Sequence, residues 1–315
     1  MICENVGSEK RGEFSSTCAY LGLHAVRVTL SPKDWQAVVR EAAARAVGED
    51  VGPDDVTSRI LIPEVIKALG FLIAREPCVL AGMEVAEAVF REVDGHLKWR
   101  ALAQDGERIL AGRKVAEVTG SARSILTGER CALNFIQRLS GVATLTADYV
   151  RQTEGTVARI LDTRKTTPGL RALERQAVRL GGGTNHRAGL YDGILVKENH
   201  QALVSFSDLT EILRKAGHDH PELPIVVEAD NCELAEKLLQ LPVHRVLLDN
   251  MTLDQVNKVV AARKMRSSQV QLEASGGVTL ERARDLARAG VDWISVGKLT
   301  HSSRSIDFSL DLIPA

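Results

Sequence analysis

Short apolar runs that end in polar residues, each leading toward an amphipathic stretch, set the rhythm of the second half of the chain. Runs at 158–161, 193–196, 224–227, 245–248, 269–272 and 293–296 are followed by Asp162-Thr163-Arg164-Lys165, Lys197-Glu198-Asn199-His200, Glu228-Ala229-Asp230-Asn231, Asp249-Asn250, Glu273-Ala274-Ser275-Gly276-Gly277 and Gly297-Lys298. Nearly continuous apolar strands alternating with helices over 232–240, 253–264 and 279–289 imply a parallel sheet covered by helices. A barrel of the TIM type collects all six polar tails on one rim, where such barrels carry their active sites. Six strands are fewer than eight, so the barrel is expected to be incomplete. A doubly wound open sheet is the alternative, because periodicity alone does not close a barrel.

The first half has a different pattern. Ser31 suits a helix cap and Pro32 a first helical turn, which predicts a helix through Trp35 to Val47 that stops at Gly48. Stretches 70–74, 78–81, 97–101 and 114–119 are β-leaning and separated by Gly, Pro or Asp. A helical pattern from Ile125 to about Tyr149, carrying Leu126, Cys131, Leu133, Ile136 and Leu139, is interrupted near Ser140-Gly141 and links the halves. The expected class is α/β, with an N-terminal α+β sandwich-like domain and a C-terminal, incomplete TIM-like α/β barrel. The divisions are a poorly ordered extension over 1–25, the first domain over 26–140, and the barrel over 141–315 with a tail returning toward the first domain.

With 315 residues, 44% of them apolar, the chain can bury at least one full core. A formal net charge of -1 argues against nucleic-acid binding through bulk positive charge, so any cationic chemistry must be local. No apolar run approaches the ~20 residues of a membrane span, and 1–12 carries charges where a signal peptide needs an apolar stretch. Cys3, Cys18, Cys78, Cys131 and Cys232 form no C-x-x-C pair, which favours free thiols in a reducing cytoplasm over disulfides or zinc.

Charge is unevenly placed. From Arg130 to Lys197 the chain carries eleven Lys/Arg and five Asp/Glu; from Glu198 to Asp254 it carries four and eleven. The first block suits a polyanion, and the second can offer carboxylates to a hard cation such as Mg²⁺. Arg171, Arg175 and Arg179 fit a solvated helix face. Arg164, Lys165, Lys197, Glu228 and Asp249 follow apolar strands, where a structural role more often uses Gly, Asn or Ser. A glycine run alone is a common helix end, but Gly181-Gly182-Gly183 leads into Thr184-Asn185-His186-Arg187, a polar loop that brings an imidazole and a guanidinium together. A single histidine is usually structural; beside Arg187, His186 suits ligand contact. Ser275-Gly276-Gly277 and Val296-Gly297-Lys298 follow the last two strands, where barrels often cradle phosphate.

Longer motifs carry a resemblance. Ile160-Leu161-Asp162-Thr163-Arg164-Lys165-Thr166-Thr167-Pro168-Gly169-Leu170-Arg171 and Gly181 to Arg187 with Gly189-Leu190-Tyr191-Asp192 resemble the quinolinate phosphoribosyltransferase family. The similarity takes in Glu49-Asp50-Val51-Gly52, Asp55-Val56-Thr57, Thr127-Gly128-Glu129-Arg130, Leu133-Asn134-Phe135, Leu139-Ser140-Gly141, Ser295-Val296-Gly297 and Leu299-Thr300-His301-Ser302, and covers nearly everything after Leu30.

The resemblance implies a phosphoribosyltransferase that converts quinolinate and phosphoribosyl pyrophosphate to nicotinate mononucleotide, CO₂ and pyrophosphate in NAD synthesis. By similarity, Thr163, Arg164, Lys165, His186, Arg187 and Lys197 line the quinolinate and pyrophosphate sites, and Arg130 reaches across a homodimer interface. Glu228 and Asp249 hold the ribose hydroxyls and the Mg²⁺–donor complex. Ser275, Gly276, Gly277, Val296, Gly297 and Lys298 fall at the 5-phosphate, and Lys165 or Lys197 is the acid that protonates the decarboxylated ring. Neither nucleic acid nor membrane is an expected partner. Pro53-Asp54, Thr184 and Lys298 depart from the family pattern, and Lys298 either adds a cation or points to solvent. The alternatives are a phosphoribosyltransferase of the same fold acting on another base, and a non-catalytic anion-binding protein.

Overall fold

In the computed structural model, which describes residues 30–315, Ser31 caps the first helix by accepting the Asp34 N–H at 3.2 Å, and Pro32 opens α1 (Pro32–Val51). The extension expected over 1–25 lies outside the described residues. The helix does not stop at Gly48. It runs on to Val51 and ends at Gly52, whose φ of 55° with ψ of -126° only glycine adopts without strain, ahead of Pro53.

α2 (Val56–Leu61), β1 (Lys67–Ala74), β2 (Cys78–Val79), α3 (Met83–Val93), β3 (Lys98–Ala101), β4 (Arg108–Ile109) and β5 (Lys114–Ser121) follow. α3 has no counterpart in the pattern reading, because Gly82 begins it without a capping side chain. It nonetheless buries Met83, Val85, Ala86, Val89 and Phe90 as one face. The expected break at Ser140-Gly141 does not occur either, since α4 (Ala122–Gln152) is a single helix of 31 residues. Both residues are small for packing reasons. Ser140 Oγ accepts the Ala81 N–H at 3.0 Å, and a Cβ on Gly141 would collide with the Arg304 carbonyl.

The remaining elements are β6 (Arg159–Leu161), α5 (Arg171–Leu180), β7 (Ile194–Val196), α6 (Glu198–Gln201), α7 (Phe206–Asp219), β8 (Ile225–Ala229), α8 (Cys232–Leu238), β9 (Arg245–Asp249), α9 (Leu253–Met265), β10 (Gln271–Ser275), α10 (Leu280–Ala289), β11 (Trp293–Ser295), α11 (Lys298–His301) and β12 (Phe308–Pro314). All six expected parallel strands are present. Their hydrogen-bonded order, β6-β11-β10-β9-β8-β7, is cyclic, because the first strand pairs with the last and the only break falls between β6 and β7. A doubly wound sheet does not produce that order. The domain is a TIM-like α/β barrel open at one seam, where Thr184 bridges Leu161 in parallel.

β12 leaves the barrel and pairs antiparallel with β1, from Ala68 opposite Pro314 to Ala74 opposite Phe308, which completes the sheet β12-β1-β5-β3. Arg75 Nη2 binds Asp311 at 2.8 Å and Arg304 Nη2 binds Glu76 at 2.6 Å, fastening the same return. No helix among the described residues is long and apolar enough to cross a membrane.

Candidate active site

Because parallel strands present their C-terminal ends on one side, the polar tails converge there. They line a cleft of about 560 Å³ that brings together Thr163, Arg164, Lys165, His186, Arg187, Lys197, Glu228, Asp249, Ser275, Gly276 and Gly277. Leu195, Leu247, Asn250, Glu273 and Ser295 complete the wall. Arg130, Val296, Gly297 and Lys298 do not line it. Val296 is buried, with its N–H donating to Leu161 O at 2.9 Å, and Lys298 is exposed at the start of α11. A Cβ on Gly297 would press on the His301 ring at 3.1 Å and on Lys165 Cδ at 3.2 Å, so this glycine makes room for both side chains. Arg130 is exposed on α4, away from its own chain's cleft.

The cation side is built from two loops. Lys165 is steadied where Thr300 Oγ1 donates to its carbonyl at 2.7 Å. Arg164 Nε is buried without a hydrogen-bond partner among the described residues, a donor suited to an anionic ligand. Arg187, expected in a polar loop, is instead 8% exposed and its Nη1 donates to Gly193 O at 3.0 Å. Burial, reinforced by the neighbouring Arg164, pushes the pKa of this guanidinium down, while Asp192 opposes the shift.

Asp162, buried at the end of β6, organises the second loop. Its carboxylate accepts from the Asn185 amide and from the His186 N–H, each at 2.6 Å. Burial pushes its pKa up to about 6 against the pull of Arg175 and these donors. Arg175 is not on a solvated helix face: it is 5% exposed and Nη1 donates to His186 O at 2.7 Å. Arg171 likewise binds inward, donating to Ala188 O at 3.1 Å. Glu174, fully buried, accepts from Thr167 N at 3.0 Å and from Arg138 Nη2 at 2.7 Å, which holds the loop after β6.

On the opposite side, Glu228 and Asp249 stand at the ends of adjacent strands β8 and β9. Burial and the Asp249 charge push the Glu228 pKa up, and Lys197 offsets part of this. Among the described residues no three His, Cys, Asp or Glu side chains cluster as a ready-made metal site. Two carboxylates nevertheless fit a hard cation that takes its other oxygen ligands from a bound substrate. Beyond β10, Gly276 and Gly277 adopt φ of 95° and 55°. A Cβ on Gly276 would strike the Asn250 side chain, so only glycine passes there. This turn leads into the capped start of α10, and exposed backbone N–H groups in such a place suit a phosphate.

Sequence reasoning missed the support beneath the cleft: Asp162, Glu174, Glu273, Arg175 and Arg245. Charges inside buried strands and helices were the available signal. For Asn250, at φ 53°, the unused signal was an Asn, a residue that tolerates a left-handed turn, directly after a strand-end Asp.

A TIM-like barrel whose strand ends oppose four cations to two carboxylates, next to a glycine turn, defines an enzyme class that handles phosphorylated polyanions. Residues 55–140 match "Quinolinate phosphoribosyl transferase, N-terminal domain" and residues 142–311 match the corresponding C-terminal domain. The chain belongs to the quinolinate phosphoribosyl transferase family. It is 43% identical over 276 residues to nicotinate-nucleotide pyrophosphorylase [carboxylating] of Mycobacterium leprae (strain TN), an alignment covering 87% of this chain and 96% of that one. It is 37% identical over 284 residues to quinolinate phosphoribosyltransferase [decarboxylating] 1 of Nicotiana glauca, covering 85% and 80%. The crystal structure of NadC from Streptococcus pyogenes superposes with a TM-score of 0.83 at 35% identity, covering 91% of this chain and 99% of that one.

Proposed function

We propose that the chain transfers the phosphoribosyl group of phosphoribosyl pyrophosphate to the ring nitrogen of quinolinate with decarboxylation, giving nicotinate mononucleotide, CO₂ and pyrophosphate for NAD synthesis. The observation that carries this reading is the opposition, within one cleft, of Arg164, Lys165, Arg187 and Lys197 to Glu228 and Asp249. Two carboxylates on the base and the phosphates of the donor require the first set; sugar hydroxyls and a metal-bound pyrophosphate suit the second.

The chain's contribution to the first step is to hold and orient charge. The ring nitrogen attacks the anomeric carbon while the bond to pyrophosphate breaks, and the intervening centre has oxocarbenium character. Arg164, Arg187 and Lys197 anchor the base, and Ser275, Gly276 and Gly277 take the 5-phosphate, so positioning supplies much of the acceleration. Glu228 and Asp249 would hold Mg²⁺, which, when bound with the donor, neutralises charge developing on the departing pyrophosphate. In the second step the bond to the carboxylate next to the cationic ring nitrogen breaks, CO₂ leaves, and its electron pair stays on the ring carbon. Lys197 or Lys165 supplies the proton.

Arg130 contributes to a neighbour's cleft, which makes a homodimer the working unit. The enzyme is cytoplasmic, a placement supported by the unpaired thiols of Cys78, Cys131 and Cys232. The test is CO₂ and nicotinate mononucleotide formation from quinolinate and phosphoribosyl pyrophosphate, with nicotinate as the control base. Turnover of nicotinate but not quinolinate overturns the reading in favour of a relative acting on another base.

A further inference from the structure

Beneath the cation side of the cleft lies a carboxylate with no part in the steps above. Glu273 sits within β10 and is fully buried. Arg245 Nη1, from β9, donates to its Oε2 at 2.7 Å, and Ser295 Oγ, from β11, donates to its Oε1. Arg245 in turn lies over the Trp293 ring, 4.5 Å from the centroid, and Trp293 Nε1 donates to Gln271 at 2.8 Å. The carboxylate is thus held from the barrel side. The oxygen that accepts from Ser295 also faces His186 Nε2 at 3.5 Å. Burial works to raise the Glu273 pKa, but the Arg245 charge and the hydrogen bonds from His186 and Arg245 work against it and hold the group below the usual carboxylate range.

The other ring nitrogen of His186 is also committed. Nδ1 accepts the Arg187 N–H at 2.7 Å, so it carries no proton, and the proton lies on Nε2, facing Glu273. An ionised carboxylate can only accept, and it therefore favours this tautomer over the reverse one. In the reverse tautomer an Nδ1–H would meet the Arg187 N–H donor to donor, and the turn that presents Arg187 would lose its hydrogen bond. The backbone around the ring is fixed separately, by Asp162 from β6 and Arg175 from α5. Arg164, Lys165, Arg187 and Lys197 are the remaining charged groups on this part of the cleft.

We propose that Glu273 is a positioning residue that holds the His186 imidazole as the Nε2–H tautomer and thereby fixes the turn that points Arg187 into the cleft. The proposal rests on the reading of His186 and Arg187 as quinolinate contacts. Glu273, fully buried, acts through the ring.

The measurement is the ring signal of His186 in ¹⁵N-histidine-labelled protein, assigned by its loss in His186→Asn. The unaltered chain should show a protonated Nε2 and a bare Nδ1. Glu273→Gln should move that signal toward the other tautomer and raise the KM for quinolinate about tenfold, the size of one charge-assisted hydrogen bond, with the KM for the donor unchanged. Because this substitution removes the carboxylate that pairs with Arg245 in the interior, the paired variant Glu273→Gln with Arg245→Gln is measured as well, and the same two changes are expected. An unaltered ring signal in both variants overturns the proposal. So does a changed ring signal with no change in quinolinate KM. Absence of quinolinate turnover in the unaltered chain is instead a failure of the functional reading, and the ring signal still decides the role of Glu273.

Discussion

Asp162 and His186, 24 positions apart in the chain, are joined where a buried carboxylate oxygen accepts a backbone N–H at 2.6 Å. The second oxygen of Asp162 accepts the Asn185 amide at the same distance, so one side chain fixes the loop across the barrel seam. An asparagine at 162 offers one acceptor and one donor to these two donors. Asp162→Asn should therefore lower unfolding free energy by about 1–3 kcal/mol, the cost of a buried donor left unpaired, and reduce kcat/KM for quinolinate. Denaturant unfolding indistinguishable from the unaltered chain would rule this out.

Lys197 and Arg187 should separate when stability and turnover are measured together. Lys197 is exposed, so Lys197→Ala should cut kcat/KM by about 10- to 100-fold, the worth of a charge-assisted contact, with little change in melting temperature. Arg187 is buried and bound to the Gly193 carbonyl, so Arg187→Ala should lose turnover and also melt several degrees lower. Near-normal kinetics in either variant removes that residue from the site.

Glu228 and Asp249 provide too few ligands to hold a hard cation alone, so Mg²⁺ should bind weakly to the isolated protein and enter with the donor. Exhaustive chelation should abolish turnover and added Mg²⁺ should restore it. Full activity after chelation refutes the metal requirement.

Arg130 is exposed and does not line its own chain's cleft, which makes a complementation experiment informative. Arg130→Ala and Lys197→Ala are each expected to keep no more than about a tenth of the unaltered activity alone. After subunit exchange, a heterodimer contains one site with both residues intact, so activity should return to about a quarter of the unaltered level for random pairing. No recovery under proven exchange means that Arg130 acts within its own chain.

Stability should depend on acid through Glu76. Hydrogen bonds from Arg304 and from the Asp307 N–H hold its pKa down, from an ordinary 4.5 to about 2. Folding therefore gains from its ionised form above the unfolded pKa, and the gain disappears as pH falls from 4.5 toward 2. Because Arg304 is largely exposed, the contribution at neutral pH should be no more than about 1 kcal/mol. Glu76→Gln should be less stable than the unaltered chain at pH 7 and equal to it near pH 2. A difference that persists unchanged at pH 2 counts against the pair.

The barrel was legible because its strands are mostly apolar and their polar ends recur. The cleft residues at 163–165, 197, 228, 249 and 275–277 followed from the same rhythm. Where the sequence misled, small residues were at fault: Gly48 and Gly141 look like breaks, yet one sits inside a helix with open space around it and the other accepts the close approach of Arg304. The buried charges were missed for another reason. Arg175 and Glu174 follow a helical pattern that also suits solvent, and only the fold shows that Asp162 and Arg138 meet them.

The return of β12 to the first sheet has a consequence for the order in which the protein can be made. The Arg75–Asp311 contact joins positions 236 residues apart, with the whole barrel lying between them. Loop closure over such a span is unfavourable until the barrel has folded and brought its end near β1. During synthesis, then, one edge of β1 emerges early and has no partner strand until the barrel is complete. Assembly of the first domain finishes last, although its residues are translated first. An unpaired strand edge in that interval is a template for misassociation, and a slow or arrested barrel would prolong the exposure.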